Sequence, residues 1–333
     1  MTYVIGIDGG GTKTETILCN SHGRILGYHL AGASNHQIVG LERAVETIRL
    51  SVQAVLEMAN VGLEQIGHVF IGIAGADSEI DKKVLLLSIS SFLDPLKTTV
   101  TNDCWIALSV ASEEHWGAIS VCGTGNNACI RDQEGHEYAL RGLQYEYGNL
   151  GGGNQIAKEA LHHAFKADEG TGRNTRLLTE IPKVLGFSDM DALCYAMYNE
   201  HFTDYFKSDV VRCVFLLASE GDRVCQDILI EMGNSCGDML GRFIRNVGLN
   251  SSVTVPIVLS GSLYHKCESM LMMDALTLAL RRHVPRFRLI VNKKPPVLGA
   301  CYEALLQFSK GIEYTIIDKW EQQLVAFKAM VQR

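Results

Sequence analysis

Short apolar runs that end in glycine or in a lone polar residue alternate along the chain with longer segments of helical spacing. The first run, residues 4–8, ends in Asp8 and is followed at once by three glycines, residues 9–11. Residues 12–18 are rich in threonine and β-branched side chains, which are typical of a strand. The first two predicted elements are therefore strands joined by a glycine hairpin.

The same order of strand, glycine hairpin, strand, polar turn and strand occurs twice. The first copy occupies residues 4–30, and the second occupies residues 118–140. A repeated supersecondary unit indicates two similar substructures, so we predict two related lobes. Their strands are expected at residues 4–8, 12–19, 24–30, 118–122, 127–131 and 137–140.

Apolar residues at helical spacing follow each copy, and further short apolar runs lie between them. Helices are predicted at residues 41–59, 82–92, 105–112, 152–165, 189–198, 209–220, 223–247 and 316–331. Further strands are predicted at residues 68–73, 98–101 and 253–259. This alternation predicts α/β sheets that bind ligands at the carboxyl ends of their strands. The helix at 316–331 carries no residue typical of a site, so its predicted role is packing.

Length and composition narrow the class of protein. A chain of 333 residues is about twice a typical domain, so two domains are expected. The composition is 47% apolar and 20% charged, as in soluble globular proteins. The net charge of −7 argues against a protein that wraps nucleic acid or lies on anionic lipid. No apolar run is long enough for a membrane span and no signal peptide is evident, so a cytoplasmic protein is expected.

The ten cysteines form no CxxC pair, and most lie in apolar segments. This pattern favours buried free thiols in a reducing compartment. Disulfides or a metal cluster are the alternatives.

The first hairpin has the chemistry of a phosphate site. Backbone N–H groups of a glycine turn can cradle phosphate oxygens, and a carboxylate such as Asp8 beside them can hold Mg²⁺. The hairpin is not a P-loop, because Lys13 follows Thr12 rather than glycine, and it is not a dinucleotide fingerprint, because Thr14 replaces the third glycine. A plain glycine hairpin without a ligand is the alternative.

Four polar or glycine-rich segments follow predicted strands. One such segment would be weak evidence of a site. Four in this order, two of them at corresponding places in the repeat, form a more specific pattern. They are residues 8–12, residues 102–103, residues 123–126 and residues 260–262.

This pattern resembles the actin-like ATPase superfamily, which includes sugar kinases, actin and Hsp70-type chaperones. The closer resemblance is to the BadF/BadG/BcrA/BcrD ATPase family and, within it, to the N-acetylglucosamine kinases. It covers nearly the whole chain in order and is carried by residues 7–14, 32–36, 101–103, 121–127, 142–151, 259–264 and 295–304. The resemblance implies an α/β fold of two actin-like (ribonuclease H-like) lobes with a duplicated βββαβα core.

The resemblance also implies where the lobes and the ligands lie. The N-terminal lobe would comprise residues 1–117 and about 312–333, and the C-terminal lobe residues 118–311 with a helical insertion. In that fold ATP and sugar bind in a cleft between the lobes, where the two glycine hairpins grip the phosphates. A third glycine turn holds the adenosine.

The resemblance assigns ATP and Mg²⁺ to residues of these turns. Asp8 would anchor Mg²⁺, although a strand-end Asp that only caps the turn is the alternative. Lys13 would act on the phosphates as a point charge, unless it is only a solvated hairpin residue. The expected nucleotide-binding residues are Gly10, Gly11, Thr12, Lys13, Gly123, Thr124, Gly261 and Ser262.

Asp103 is expected to act as the general base. It follows a strand at the implied cleft, where it would accept the proton of the attacking sugar hydroxyl. The alternative is that Asp103 only caps the helix that begins at Cys104, because Asp is a favoured N-cap residue.

The sugar contacts implied by the resemblance include two departures from the family pattern. The expected sugar-binding residues are Asn35, Asp103, Thr124, Gly125, Gly142 and Asn149. The family usually has an Asp-Glu pair where this chain has Asn149 and Leu150, and Leu143 replaces a Trp that is common in the N-acetylglucosamine kinases. Both departures fall in the pocket and leave the identity of the sugar open.

The resemblance therefore implies an ATP-dependent kinase that phosphorylates an amino sugar at the 6-hydroxyl, and we expect a homodimer. N-acetylglucosamine is the first candidate, followed by N-acetylmuramate and glucosamine, and neither nucleic acid nor membrane is an expected partner. The alternative is an ATPase that activates a partner enzyme. The family's activators of 2-hydroxyacyl-CoA dehydratases carry an iron–sulfur cluster between subunits, and Cys122 and Cys129 are the nearest candidate ligands. A chaperone-like binding protein is not expected, because no linker or peptide-binding domain is recognisable.

Overall fold

The computed structural model describes residues 2–141, 148, 151–202, 208–249, 253–265, 270–307 and 312–331. The chain forms two compact units. Unit 1 comprises Met1–Ile119, Arg131–Ala139 and Ile290–Arg333, and unit 2 comprises Ser120–Ile130 and Leu140–Leu289. The lobe boundaries remain a prediction, and residues 290–307, expected in the C-terminal lobe, pack within unit 1.

Five strands form the first sheet in the order β3-β2-β1-β4-β5. Strands β1, β2 and β3 are antiparallel neighbours, whereas β1, β4 and β5 run parallel. The register pairs Gly9 with Ile73 and Gly72 with Thr101, so the three parallel strands end together at one edge. The strands are β1 (Tyr3–Gly9), β2 (Thr14–Asn20), β3 (Ile25–Ala31), β4 (Ile66–Ile73) and β5 (Thr98–Thr101).

Helices cover both faces of this sheet. Successive residues of a strand point to opposite faces of the sheet, so the apolar side chains of these strands pack into two separate cores. Ile17 and Tyr28 pack with α4, α12 and α13, whereas Ile5 and Leu18 pack with α2 and α3. The helices of unit 1 are α1 (His36–Val39), α2 (Leu41–Ala59), α3 (Glu79–Ile89), α4 (Asp103–Ala111), α12 (Pro296–Leu306) and α13 (Ile316–Val331).

Two glycines allow α12 to approach the sheet and α4 closely. Gly6 in β1 lies against the backbone of Cys301, and Gly299 in α12 lies against the backbone of Ile106 in α4. A Cβ atom at either glycine would overlap main-chain atoms, so these contacts require glycine. The packing fixes α4, which begins at Asp103, against the sheet.

The second sheet repeats the topology of the first. Its order is β10-β9-β6-β7-β8. When β6–β10 are matched in chain order to β1–β5, this becomes β5-β4-β1-β2-β3, which is the order of the first sheet read from its other edge. The internal repeat predicted from the sequence is therefore confirmed. The strands are β6 (Gly117–Cys122), β7 (Asn126–Arg131), β8 (Glu137–Ala139), β9 (Val255–Ser260) and β10 (Phe287–Val291).

Helices of unit 2 form an insertion between β8 and β9. They are α5 (Gly153–Asp168), α6 (Leu177–Leu185), α7 (Met190–Asn199), α8 (Ser208–Ser219) and α9 (Arg223–Val247), with α10 (Ser262–His265) and α11 (Leu271–Arg281) after β9. Gly233 and Gly237 let α9 pack closely on the backbone of α11. Among the described residues, no helix is both long and apolar enough to cross a membrane.

Candidate active site

The first glycine hairpin joins β1 to β2 and presents two N–H groups to solvent. The N–H of Gly10 donates to the carbonyl oxygen of Lys13 (2.9 Å) and closes the turn. Gly11 and Thr12 are exposed, and no described residue accepts a hydrogen bond from their N–H groups. The Gly10 N–H therefore departs from its expected role towards phosphate, because turn closure uses it. Gly11 and Thr12 retain N–H groups that can donate hydrogen bonds to an anion.

The loop after β3 is fixed against this hairpin. The Gly10 carbonyl accepts hydrogen bonds from the N–H groups of Ser34 (3.1 Å) and Asn35 (3.2 Å). The Thr14 hydroxyl lies 2.8 Å from the Ser34 hydroxyl. These contacts hold Asn35 beside the glycine hairpin at the edge of the sheet.

Asn35 is buried and caps α1. Its Oδ1 accepts a hydrogen bond from the N–H of Gln37 (2.9 Å). Gly75 has a φ of +92°, and a Cβ there would lie 2.6 Å from the same Oδ1, so glycine is needed beside Asn35. No described residue accepts from Nδ2 of Asn35. The amide can therefore donate to a ligand hydroxyl, as the predicted sugar contact requires.

Asp8 is the last residue but one of β1 and is surrounded by charged side chains. It lies opposite Glu15 in the β1–β2 ladder, so the two carboxylates share one face of the sheet. Burial and the charges of Asp103 and Glu15 raise the pKa of Asp8 to about 7, while Lys13 and Lys328 act in the opposite direction. No N–H of the described residues donates to Asp8, so it does not cap the turn. Crowded carboxylate oxygens of this kind fit a divalent cation such as Mg²⁺.

Glu15 is a buried carboxylate with three partners. Its Oε2 accepts from Lys13 (2.7 Å), and its Oε1 accepts from Tyr28 (2.8 Å) and lies 2.7 Å from Nζ of Lys328. Burial alone would raise the pKa of Glu15, but these hydrogen bonds bring it below its ordinary value. Lys13 is thus an ion-paired residue rather than a purely solvated one. Helix α13, predicted only to pack, supplies Lys328 to this group.

Asp103 is the first residue of α4, but Asn102 is its N-cap. Oδ1 of Asn102 accepts from the N–H of Cys104 (2.9 Å). Burial and the charge of Asp77 raise the pKa of Asp103 to about 6, although the N–H groups of residues 103 and 104 act to lower it. Because Asn102 caps the helix, the half-buried Asp103 carboxylate is available for another role.

Asp77 connects the α1 segment to the beginning of α4. Its Oδ1 accepts from Nδ2 of Asn102 (2.8 Å), and its Oδ2 lies 3.4 Å from Nε2 of Gln37. Sequence reasoning did not assign Asp77 a role, although its position just after β4 was a usable signal. The three parallel strands therefore each lead into a carboxylate at the same edge, namely Asp8, Asp77 and Asp103.

The second glycine turn, in unit 2, repeats the pattern of the first hairpin. The N–H of Gly123 donates to the carbonyl of Gly125 (2.9 Å). The carbonyls of Gly123 and Thr124 accept from the first N–H groups of α5, those of Gly153 (2.7 Å) and Asn154 (3.0 Å). Thr124 and Gly125 are exposed, and no described residue accepts from their N–H groups.

A third glycine turn lies beside the second within unit 2. Gly261 has a φ of +102° and approaches the backbone of Cys122, so both its conformation and its surroundings require glycine. A Cβ at Gly123 would lie 4.0 Å from the Ser262 hydroxyl. The two turns expected to bind nucleotide in this unit are therefore neighbours. Gly142, Leu143, Asn149 and Leu150 lie outside the described residues, so their predicted sugar contacts stay predictions.

The cysteines considered for an iron–sulfur cluster are buried within the fold. Cys122 and Cys129 are both fully buried, and a hydrogen bond with Cys236 together with burial raises the pKa of the Cys122 thiol well above its ordinary range. In the described part of the chain, the one group of three close potential metal ligands is Asp132, Glu134 and His136, which contains no cysteine. This geometry does not favour a cluster shared between subunits.

Comparisons with known proteins find relatives that match most of the chain. The chain is 26% identical over 311 residues to the N-acetyl-D-glucosamine kinase of Dictyostelium discoideum, in an alignment that covers 90% of this chain and 97% of the relative. It is also 26% identical over 300 residues to the N-acetylmuramic acid/N-acetylglucosamine kinase of Clostridium acetobutylicum, with 90% and 97% covered.

A solved structure supports the fold class. The candidate N-acetylglucosamine kinase from Chromobacterium violaceum superposes with a TM-score of 0.70 at 19% identity, covering 92% of this chain and 99% of that chain. This likeness confirms the predicted actin-like α/β fold. The sequence profile of one family matches residues 5–304, a range that includes all three glycine turns and Asp103. The chain therefore belongs to the BadF/BadG/BcrA/BcrD ATPase family.

Proposed function

We propose that the protein is an ATP-dependent kinase that transfers the γ-phosphoryl group of ATP to the 6-hydroxyl of an amino sugar. N-acetylglucosamine is the first candidate acceptor, followed by N-acetylmuramate and glucosamine, in line with the activities for which the relatives are named. One observation carries the proposal. Asp103 stands at the carboxyl edge of the sheet with its helix already capped by Asn102 and with its pKa raised to about 6.

Asp103 is the proposed general base. A base works best when its pKa lies near the working pH, and a pKa of about 6 leaves Asp103 ionised but still basic at neutral pH. In the proposed step the sugar oxygen forms a bond to the γ-phosphorus and the bond from that phosphorus to the bridging oxygen of ADP breaks. The sugar hydroxyl proton passes to the Asp103 carboxylate.

Asp8 is the proposed anchor for Mg²⁺. Its carboxylate is not used by the hairpin, and the neighbouring negative charges of Asp103 and Glu15 help burial to raise its pKa to about 7, so a cation there would relieve their repulsion. When bound, Mg²⁺ supplies charge neutralisation to the phosphate oxygens. Asp8 itself contributes oxygen ligands, directly or through water.

The glycine turns are proposed to bind ATP. The exposed N–H groups of Gly11 and Thr12 would donate to phosphate oxygens, with Lys13 as a nearby positive charge. In unit 2, the corresponding donors are the N–H groups of Thr124 and Gly125. Gly10 belongs to the proposed nucleotide-binding set because its N–H closes the turn that presents the Gly11 and Thr12 donors. Gly123, Gly261 and Ser262 belong to it through backbone shape, since Gly123 and Ser262 are neighbours and Gly261 permits the close turn.

The sugar is proposed to contact Asn35 and Asp103 in unit 1. Nδ2 of Asn35 can donate to one hydroxyl, while the carboxylate of Asp103 accepts from the 6-hydroxyl. Thr124, Gly125, Gly142 and Asn149 remain proposed sugar-side residues. Asn149 would contact the sugar without a charge, in contrast to the acidic residue usual in the family.

An ATPase that activates a dehydratase is the second candidate. That role requires grouped cysteines that two subunits can share, whereas Cys122 and Cys129 are fully buried. A colourless protein after anaerobic purification, together with sugar-dependent ADP release, would reject it. Absorbance at about 400 nm from an iron–sulfur charge-transfer band would support it.

The proposed activity is tested by ADP release across a panel of hexoses, amino sugars and N-acetyl amino sugars. We expect one amino sugar to stimulate ADP formation well above the background seen with ATP alone, and mass spectrometry to show its 6-phosphate. If no sugar stimulates ADP formation, the kinase proposal fails. The proposed cytoplasmic homodimer is tested separately, by cell fractionation and by light scattering of the purified protein.

A further inference from the structure

The two lysines on Glu15 bind different oxygens of its carboxylate. Lys13 lies 2.7 Å from Oε2, whereas Lys328 lies 2.7 Å from Oε1, which also accepts from Tyr28. Oε1 therefore keeps two partners even if Lys13 leaves. The two ion pairs are thus separable, and loss of the Lys13 contact does not strip the carboxylate of a cation.

The two lysines also differ in their surroundings. Lys13 belongs to the glycine hairpin and its side chain is 56% exposed. Lys328 lies on α13, which is anchored in the core through Trp320 and Leu324, and its Nζ also lies 5.7 Å from the centre of the Tyr28 ring. Lys13 is therefore the partner that can turn to a ligand, and Lys328 is the partner that stays.

A buried carboxylate cannot readily lose its only cation, because the uncompensated charge is strongly destabilising. Only 3% of the Glu15 side chain is exposed, so Lys13 can leave only while another cation remains on Glu15. We propose that Lys328 is a positioning residue that holds Glu15 when Lys13 turns from Glu15 to the phosphates of ATP. This inference rests on the proposed nucleotide site at the first hairpin.

The inference predicts that Lys328→Met weakens nucleotide binding selectively. In this variant Lys13 is the last cation on Glu15 and is retained there. The dissociation constant of the Mg²⁺ complex of AMPPNP should rise about tenfold, the effect of losing one charge-assisted contact. The KM of the sugar and kcat at saturating ATP should change by less than about twofold. Lys319→Met, which removes an exposed charge from the same helix, is the matched control and should bind as the wild type does.

A double-mutant cycle with Glu15→Gln separates this role from a general structural one. The neutral amide introduced by this substitution carries no charge that must be kept paired, so Lys13 is free to bind phosphate whether Lys328 is present or absent. In the Glu15→Gln background, Lys328→Met should therefore change AMPPNP affinity by less than about twofold. An equal loss of affinity in both backgrounds would overturn the inference, as would unchanged affinity in the single variant.

The experiment distinguishes failure of this inference from failure of the proposed function. AMPPNP binding is measured by titration calorimetry on the whole protein and needs no sugar turnover. Lys328→Gln, which keeps a donor to Glu15 without its charge, replaces the Met variant if thermal unfolding shows that variant to be unstable. If wild type binds AMPPNP but no sugar stimulates ADP release, only the kinase proposal fails. If wild type binds no AMPPNP, the inference fails with it.

Discussion

At the scale of single residues, the candidate active site contains several carboxylates that lie close enough to affect one another's pKa. The parallel strands of the first sheet lead into Asp8, Asp77 and Asp103 at one edge, and the charges act on one another. Burial and these charges raise the pKa of Asp8 to about 7 and that of Asp103 to about 6. Raised carboxyl pKa values in a polar site are typical of acid–base and metal-binding roles, which we propose fall on Asp103 and Asp8 respectively.

Replacement of Asp103 tests the general base. In Asp103→Asn the shape is kept but the proton acceptor is lost, so kcat should fall about 100- to 10,000-fold. Asn102 still caps α4, so the melting temperature should stay close to that of the wild type. AMPPNP titration is the control for an intact nucleotide site. Near-normal turnover in a folded Asp103→Asn protein would exclude the assignment.

The pH dependence of the reaction tests the pKa of the same group. As the proposed base, Asp103 can accept a proton only when ionised, and its pKa is raised from 3.8 to about 6. At saturating ATP and Mg²⁺ the bound cation should keep Asp8 ionised, so the kcat/KM for sugar should be level above this pH and fall about tenfold per pH unit below it.

A variant of Asp77 tests the cause of that shift. Asp77→Asn removes a charge that raises the pKa of Asp103, so the acidic limb of the profile should move to lower pH. Glu79→Gln, an exposed charge on α3, should leave the limb in place. An Asp77→Asn profile that coincides with the wild-type profile would show that another group controls the limb.

At the scale of elements, the beginning of α4 positions the proposed base. Asn102 caps the helix and also donates to Asp77, so one side chain fixes both the helix start and a neighbouring carboxylate. The close packing of Gly299 on Ile106 holds the same helix from its other side. The position of Asp103 is therefore a property of α4 and its cap rather than of a loop.

Loss of this cap should cost both stability and turnover. Asn102→Ala should lower the free energy of unfolding by about 1 kcal/mol, the usual contribution of an N-cap. It should also lower kcat, because the first turn of α4 that carries Asp103 loses its anchor. Asp189→Ala removes the side-chain cap of α7 and is the matched control, with a similar stability loss and unchanged kcat. Equal kcat in the two variants would contradict a positioning role for Asn102.

The elements also show what sequence patterns could and could not predict. Strand ends and the glycine turns were predictable because glycine and lone acidic residues after apolar runs are local signals. Helix α12 was not predicted, because it is buried on nearly all sides and shows no amphipathic period, and α6, also not predicted, contains Pro182. The local sequence could not show whether Asn102 or Asp103 is the N-cap of α4, since both residue types favour the N-cap position.

Contacts between distant segments lay beyond sequence reasoning. Lys328 and Glu15 are far apart in the sequence, and nothing in the pattern of α13 points to a charge directed at the first hairpin. The use of the Gly10 N–H likewise depends on how the turn closes, with the carbonyl oxygen of Lys13 as its acceptor. Both features follow from three-dimensional packing rather than from local propensity.

At the scale of the whole molecule, the fold is a duplication in which each copy supplies a glycine turn. Both turns use a glycine N–H for closure and at least one carbonyl to hold a later segment of the chain, and both leave two exposed N–H groups. The carboxylates belong to the first copy alone, in which Asp8 and Asp103 lie at the sheet edge. The duplication thus provides two similar turns, both proposed to bind phosphate, while the proposed proton transfer and metal binding belong to one copy.

The central claim is tested most directly by ADP release from wild type and from Asp103→Asn with saturating Mg²⁺, ATP and N-acetylglucosamine or the best sugar of the panel. We predict sugar-stimulated ADP release by the wild type that is lost in the variant while AMPPNP binding is kept. Absence of sugar stimulation in the wild type, or equal stimulation in both proteins, would contradict a sugar kinase whose general base is Asp103.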